Sequence, residues 1–484
     1  MSSNAKRYIF LRQRRHSDPY RVLILLALLL VGLFVLREFK AGAIEAPFTA
    51  TATPTRTVIS YEQEAETYFQ IGDLNKAIGS YQQAIAQQPQ DAQLYAELAR
   101  IQTYSSSLLT NSDARRQRLQ EALDSIGKAV ELAPDDSTAH AVRAFVLDWN
   151  ANPILAGDQS AVILLQAEQE AVTAINLDNT NTLALAYYAE ILVDQQKWNQ
   201  AEQYIDQALE RDSTLMDVHR VKGYVLESTR QYRLAIEEYQ KALEIAPNMP
   251  LLWLQIGYNY RALADPSVPA QFDPALEAFS KVVEINERLG IQDSLPYTQI
   301  AKTYAQMGEG LISSRNARKA LQISPTSPDM YGQLGVIYFQ ARNYEGAIPA
   351  FQCALEGCDA VTSCDVRQCD SETDPAVTVT GLPLSDSTVV YYYTYGSVLA
   401  GMARKSNGYC NKAMEILNKV RNAYSEDTII LSIIQPSVEI CQSILSETDQ
   451  TPTTQPQTDQ TPTVQPQTGP TQPGNLPTET PSGG

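Results

Sequence analysis

Six cysteines hold the densest reactive chemistry in this 484-residue sequence: Cys353, Cys358, Cys364, Cys369, Cys410 and Cys441, all in the last third of the chain. The run CALEGCDAVTSCDVRQC spaces the first four as C-x4-C-x5-C-x4-C. Such thiols can coordinate a metal or form disulfides. Structural zinc sites typically use tighter C-x2-C pairs, and no histidine lies nearby, so the spacing favours disulfides and an oxidising compartment. Pairing does not follow from spacing alone. The expectation is two bridges among the first four cysteines and one joining Cys410 to Cys441, stapling two terminal helices. An enzyme or metal protein built on this insert is a competing reading. The other ingredients of catalysis are scarce. His16 lies in a basic flank, and His140 and His219 sit early in helical segments, where they read as packing residues. The sequence contains no G-x-S-x-G, no G-x-x-x-x-G-K-[ST] and no H-E-x-x-H. Neither an enzyme, a metal site nor a cofactor is expected.

What remains is binding chemistry. Side chains three or four apart share a helix face. That spacing groups Arg220, Tyr224 and Glu227, then Leu254, Tyr258 and Arg261, then Thr298 and Lys302. Three cations beside two tyrosines suit a carboxylate-bearing partner segment. Phe69, Tyr104, Phe145 and Trp149 form a second candidate patch. The formal net charge is -18, but residues 1–21 carry six basic side chains and one acid, which leaves -23 for the rest. A body so acidic repels phosphate backbones, and nucleic acid is not an expected partner.

The elements that would position these residues start with VLILLALLLVGLFVL, residues 22–36, all apolar. With Arg21 and Arg37 snorkelling and Tyr20 and Phe39 at the interfaces, this segment just spans a bilayer. A cleaved signal peptide ending near Ala41-Gly42-Ala43 is the competing reading, opposed by the charges of Arg37, Glu38 and Lys40 before that site. Either way the basic flank stays cytoplasmic, and the chain from about residue 40 lies outside.

Beyond it a period near 34 residues emerges. One half reads Ala77, Tyr81, Ala84, Pro89, then Ala122, Ile126, Ala129, Pro134, then Ala235, Tyr239, Ala242, Pro247. The other half is a helix with a small residue at Ala65, Ala99, Ala144, Ala189, Gly223, Gly257, Ala301 or Gly335. Trp253, Ile256, Gly257, Tyr260 and Phe279, with Tyr331, Leu334, Gly335, Tyr338, Ala347, Phe351 and Ala354, resemble the signature of the tetratricopeptide repeat family. The resemblance covers roughly residues 58 to 358, about eight units, and implies an all-α solenoid of helical hairpins wound as a right-handed superhelix. Each hairpin is too small to bury its own apolar face, so neighbours stack and share a core. The resemblance also implies a peptide or partner helix held along the concave face, which puts Arg220, Tyr224, Glu227, Leu254, Tyr258, Arg261, Thr298 and Lys302 in the binding role.

The expected organisation is a cytoplasmic flank (1–21), a transmembrane helix (22–40), a linker (41–57) and the solenoid (58–358). A Cys-containing insert read as a disulfide-tied loop (359–388), a degenerate repeat pair with a capping helix (389–447) and a Thr/Pro/Gln-rich disordered tail (448–484) follow. Units starting near 92, 137 and 250 carry about ten extra residues each. The expected function is a non-catalytic, membrane-anchored extracytoplasmic scaffold for protein partners at the cell envelope. An envelope assembly or secretion chaperone is the alternative.

Overall fold

The computed structural model describes residues 18–40, 56–109, 112–370 and 374–448. The basic flank up to residue 17, most of the linker and the tail from residue 449 lie outside the described residues. In chain order the helices are α1 (Pro19–Lys40), α2 (Val58–Gln70), α3 (Leu74–Gln87), α4 (Ala92–Ser106), α5 (Ser112–Leu132), α6 (Ser137–Asn150), α7 (Pro153–Ala156), α8 (Ser160–Leu177), α9 (Thr182–Asp194), α10 (Trp198–Arg211) and α11 (Met216–Ser228). They continue with α12 (Tyr232–Ile245), α13 (Pro250–Leu263), α14 (Asp273–Leu289), α15 (Leu295–Gln306), α16 (Gly310–Ile323), α17 (Pro328–Gln340), α18 (Tyr344–Leu355), α19 (Ala360–Arg367), α20 (Val389–Gly401), α21 (Tyr409–Ala423) and α22 (Thr428–Thr448). Among the described residues there is no strand, and Cys358 and Val379 form an isolated antiparallel bridge.

The chain divides into two compact units, residues 1–105 with 117–191 and residues 106–116 with 192–484. Within the first, α2 packs on α3 and α6 on α8. Within the second, hairpins form from α11 and α12, α13 and α14, α15 and α16, α17 and α18, and α20 and α21.

One turn device closes most hairpins. The N–H groups of Asp73, Lys197, Gln231, Glu309 and Asn343 each reach a carbonyl five residues back, at 2.8–2.9 Å. The residue before each is left-handed: Gly72, Gln196, Arg230, Gly308 and Arg342. This capping pattern satisfies carbonyls that a helix end otherwise leaves open, and it reverses the chain within three residues.

Close approach explains the small residue in each first helix. A Cβ at Gly335 would lie 2.7 Å from the Phe351 ring, and one at Gly223 2.7 Å from the Tyr239 ring. Real carbon atoms do not approach so closely, so a glycine admits the aromatic of the second helix. Gly257 receives Phe279 in the same way. The alanines Ala65, Ala99, Ala144, Ala189 and Ala301 at equivalent places are fully buried.

A second device ties the hairpins' entry turns. Tyr95 OH, Trp253 Nε1 and Tyr331 OH donate to the carbonyls of Pro89, Pro247 and Pro325, at 3.4, 3.1 and 3.0 Å. His140 and His219 use Nε2 on Pro134 and Ser213, at 2.8 and 2.9 Å. In every case the acceptor lies six residues upstream. The histidines add a second contact: Nδ1 meets Glu170 at 2.6 Å and Glu238 at 2.7 Å. They brace turns, as a packing role requires.

The cysteines pair as Cys353–Cys358, Cys364–Cys369 and Cys410–Cys441, the last linking α21 to α22. The insert contains a helix, α19, where a loop was expected. Asp359 caps it by accepting from the Thr362 N–H at 2.8 Å, and Arg367 at its end is 1% exposed and donates to the carbonyls of Ser363 and Pro375. Ile434, Val438 and Cys441 of α22 pack into the same core as α20 and α21. The stretch Pro19–Glu38 is long and apolar enough to cross a membrane, and none of it is buried.

Candidate functional site

Three first helices of the second unit, α11, α13 and α15, carry the residues that the sequence groups into rows. Three of them do not line an open face. Arg220, Leu254 and Thr298 are 5%, 4% and 5% exposed. Leu254 joins Ala275, Phe279, Val282 and Ile300 in a core cluster, and Thr298 Oγ1 donates to the Ser294 carbonyl at 3.0 Å. Helical periodicity assigns a row but does not show which flank of it the next hairpin covers. Two others serve internal bonds. Tyr224 donates its hydroxyl to Asp194. Glu227 accepts from Tyr239 OH at 2.9 Å and Asn259 Nδ2 at 2.8 Å, and burial raises its pKa.

Tyr258, Arg261 and Lys302 are the residues that the fold brings together. The Arg261 guanidinium lies over the rings of Tyr258 and Phe279, with 5.5 and 5.4 Å to the centroids. Its nitrogens donate to the Gln299 side chain at 3.0 Å and the Gln299 carbonyl at 3.3 Å. These acceptors are neutral, so the arginine is oriented but not neutralised, and burial depresses its pKa. Lys302 is half-buried. Its pKa is lowered first by burial and further by Arg261, while Asp329 pulls the other way. Among the described residues its ammonium has no hydrogen-bond or ion-pair partner. Burial also pushes the Tyr258 phenol up to about 12. Two desolvated cations beside an aromatic ring can accept a carboxylate, because an anion relieves both the missing pairing and their mutual repulsion.

Sequence reasoning missed four neighbours of this site. Gln299 orients Arg261. Asn259 leaves a buried Oδ1 without a partner, and Gln333 a buried Oε1. Asp329, in the first turn of α17, accepts from Tyr391 OH at 2.7 Å. Buried amides inside apolar helical runs are the available signal, and Gln299 and Asn259 each fall one position beyond a residue that the rows include.

The aromatic patch in the first unit is interior packing. Phe69, Tyr104 and Phe145 are 0–3% exposed. Their rings form a ladder that continues from Phe145 to Tyr187 at 4.5 Å, stacked. Trp149 closes it edge-on and donates Nε1 to Glu190 at 3.3 Å. Aromatics at repeat spacing stack on one another, which buries them.

Comparison with known proteins agrees with the hairpin geometry. The TPR repeat family matches residues 65–102, and the Tetratricopeptide repeat family matches residues 189–250. The chain contains tetratricopeptide repeats. A curated relative, the Hsp70-Hsp90 organizing protein of Triticum aestivum, is 24% identical over 218 residues, 39% of this chain. This chain spans 37% of that relative's length. Among solved structures, the human IFIT1 dimer with PPP-AAAA is 17% identical, with a TM-score of 0.50 over 82% of this chain and 92% of that one. It shares the helical fold. YrrB, a TPR protein with an unusual peptide-binding site, is 20% identical with a TM-score of 0.30, covering 45% of this chain and 97% of that one.

Proposed function

We propose that this tetratricopeptide protein is a non-catalytic, membrane-anchored scaffold whose first-helix face holds a carboxylate-bearing segment of a partner protein outside the cytoplasm. The observation that carries the reading is the Arg261–Lys302 pair: two partly desolvated cations that form no ion pair among the described residues, with the Asp329 carboxylate acting on Lys302 only from beyond ion-pair distance. The coarse function, protein–protein interaction, has support from the repeats and from the organizing-protein relative. Anchoring has support from α1, whose 22 residues span about 33 Å at about 1.5 Å each, against roughly 30 Å of hydrocarbon. The three paired cysteine couples favour an oxidising exterior.

Charge reversal at Arg261 and Lys302, with crosslinking in intact cells and mass spectrometry of what is retained, tests the reading. One stoichiometric partner retained by the wild type and lost from the double variant supports the scaffold. Several unfolded clients captured weakly by both proteins would favour a chaperone.

A further inference from the structure

Five first helices among the described residues are tied to a carbonyl six residues upstream, and α15 is where that tie is replaced. Its equivalent side chain, Tyr297, donates instead to Glu287 Oε1 at 3.2 Å. The cause is α14, which has 17 residues where α12 and α16 have 14, and which ends at a left-handed Gly290. A cleft of about 400 Å³ opens there, lined by Asn286, Glu287, Asp293, Tyr297 and Lys319 among others.

Two buried polar side chains form the floor of this cleft. Asn286, 3% exposed, donates Nδ2 to Asp293 Oδ2 at 3.2 Å, and its Oδ1 is buried with no partner. Asp293, also 3% exposed, accepts from the Leu295 N–H at 2.9 Å and meets no cation among the described residues. Burial accordingly raises its carboxyl to about 6. Lys319, the cation on the lining, rests over the Tyr297 ring with 5.4 Å to the centroid and is exposed enough to swing aside.

We propose that this cleft binds the guanidinium of an arginine in a partner polypeptide, with Asp293 and Glu287 as its charge partners, Asn286 Oδ1 as a neutral acceptor and Tyr297 as the stacking face. A planar fork of donors fits acceptors spread over a wall, where a compact ammonium reaches fewer of them. The formal charge of -18 draws a basic segment. The inference rests on the protein-binding reading only for the source of the arginine.

Isothermal titration of the full-length protein in detergent with acetyl-Gly-Arg-Gly-amide tests it, against the same peptide carrying citrulline, the neutral isostere. The arginine peptide binds saturably, and the citrulline peptide at least tenfold more weakly. Asp293→Asn weakens binding at least tenfold and Glu287→Gln about threefold, with helicity unchanged. Glu287 is exposed, so its variant folds whatever Asp293 contributes. At about pH 6 binding releases protons, seen as a heat that depends on buffer ionisation, because a cation favours the carboxylate. Equal binding of the two peptides, no binding at about 10 mM peptide, or no effect of Asp293→Asn overturns the proposal. Capture of an acidic partner by Arg261 and Lys302 is unaffected by Glu287→Gln, so the two readings fail separately.

Discussion

Asp293→Asn should stabilise the protein at neutral pH and erase part of its acid dependence. Burial raises the Asp293 carboxyl from 3.8 to about 6 in the folded chain. The folded state then binds the proton more tightly than the unfolded one. The contribution of this group to stability therefore rises as pH falls from about 6 toward 3.8, and it is lowest above about 6, where the buried carboxylate is charged. Two units at about 1.4 kcal/mol each give an upper bound of roughly 3 kcal/mol. An asparagine keeps an oxygen for the Leu295 N–H, and with the Asn286 amide turned over its N–H donates to the Asn286 Oδ1, so its loss of the carboxylate–amide contact is offset. Urea unfolding followed by circular dichroism, at about pH 7.5 and about pH 4, measures the difference. The variant should unfold at higher urea at the upper pH, by a stability of roughly 1–3 kcal/mol, and the gap should close at the lower pH. A variant less stable at neutral pH, or a gap that ignores pH, refutes the reasoning.

Three further outcomes follow from the packing. Gly257→Ala forces a methyl into the Phe279 ring and should destabilise by about 1–3 kcal/mol in thermal or denaturant unfolding, whereas the same change at Gly127, which faces open space, should not. Arg230→Gly removes a side chain from a left-handed position, so the capping turn loses about 1 kcal/mol of strain, less glycine's extra chain entropy; a small gain or no change in the unfolding midpoint is expected, and a loss beyond 1 kcal/mol would contradict the turn assignment. Replacing Cys410 and Cys441 by serine opens a loop closed over a sequence separation of 31, worth about 3–4 kcal/mol in the chain-entropy view, and should loosen α22 first in hydrogen exchange.

The hairpins were legible because packing imposes them on residue size. A glycine or alanine must recur wherever an aromatic from the second helix crosses, and first helices duly begin at Val58, Ala92, Ser137, Thr182, Met216, Pro250, Leu295 and Pro328. The binding face was legible only in part. Arg220, Leu254 and Thr298 share the period of Tyr258, Arg261 and Lys302, and a helical wheel cannot tell a flank covered by the next hairpin from one left open. Buried partnerships such as Glu227 with Asn259, 32 positions apart, also leave no local trace. The α14–α15 cleft was invisible for another reason. It arises from one extra helical turn, whose consequence depends on where Tyr297 finds its acceptor.

The account turns on whether the Arg261–Lys302 face holds a partner, and partner retention in intact cells tests this directly. Arg261→Glu with Lys302→Glu should leave the circular dichroism spectrum unchanged and remove the crosslinked partner that the wild type retains. Equal retention by the two proteins, at equal abundance, would contradict it.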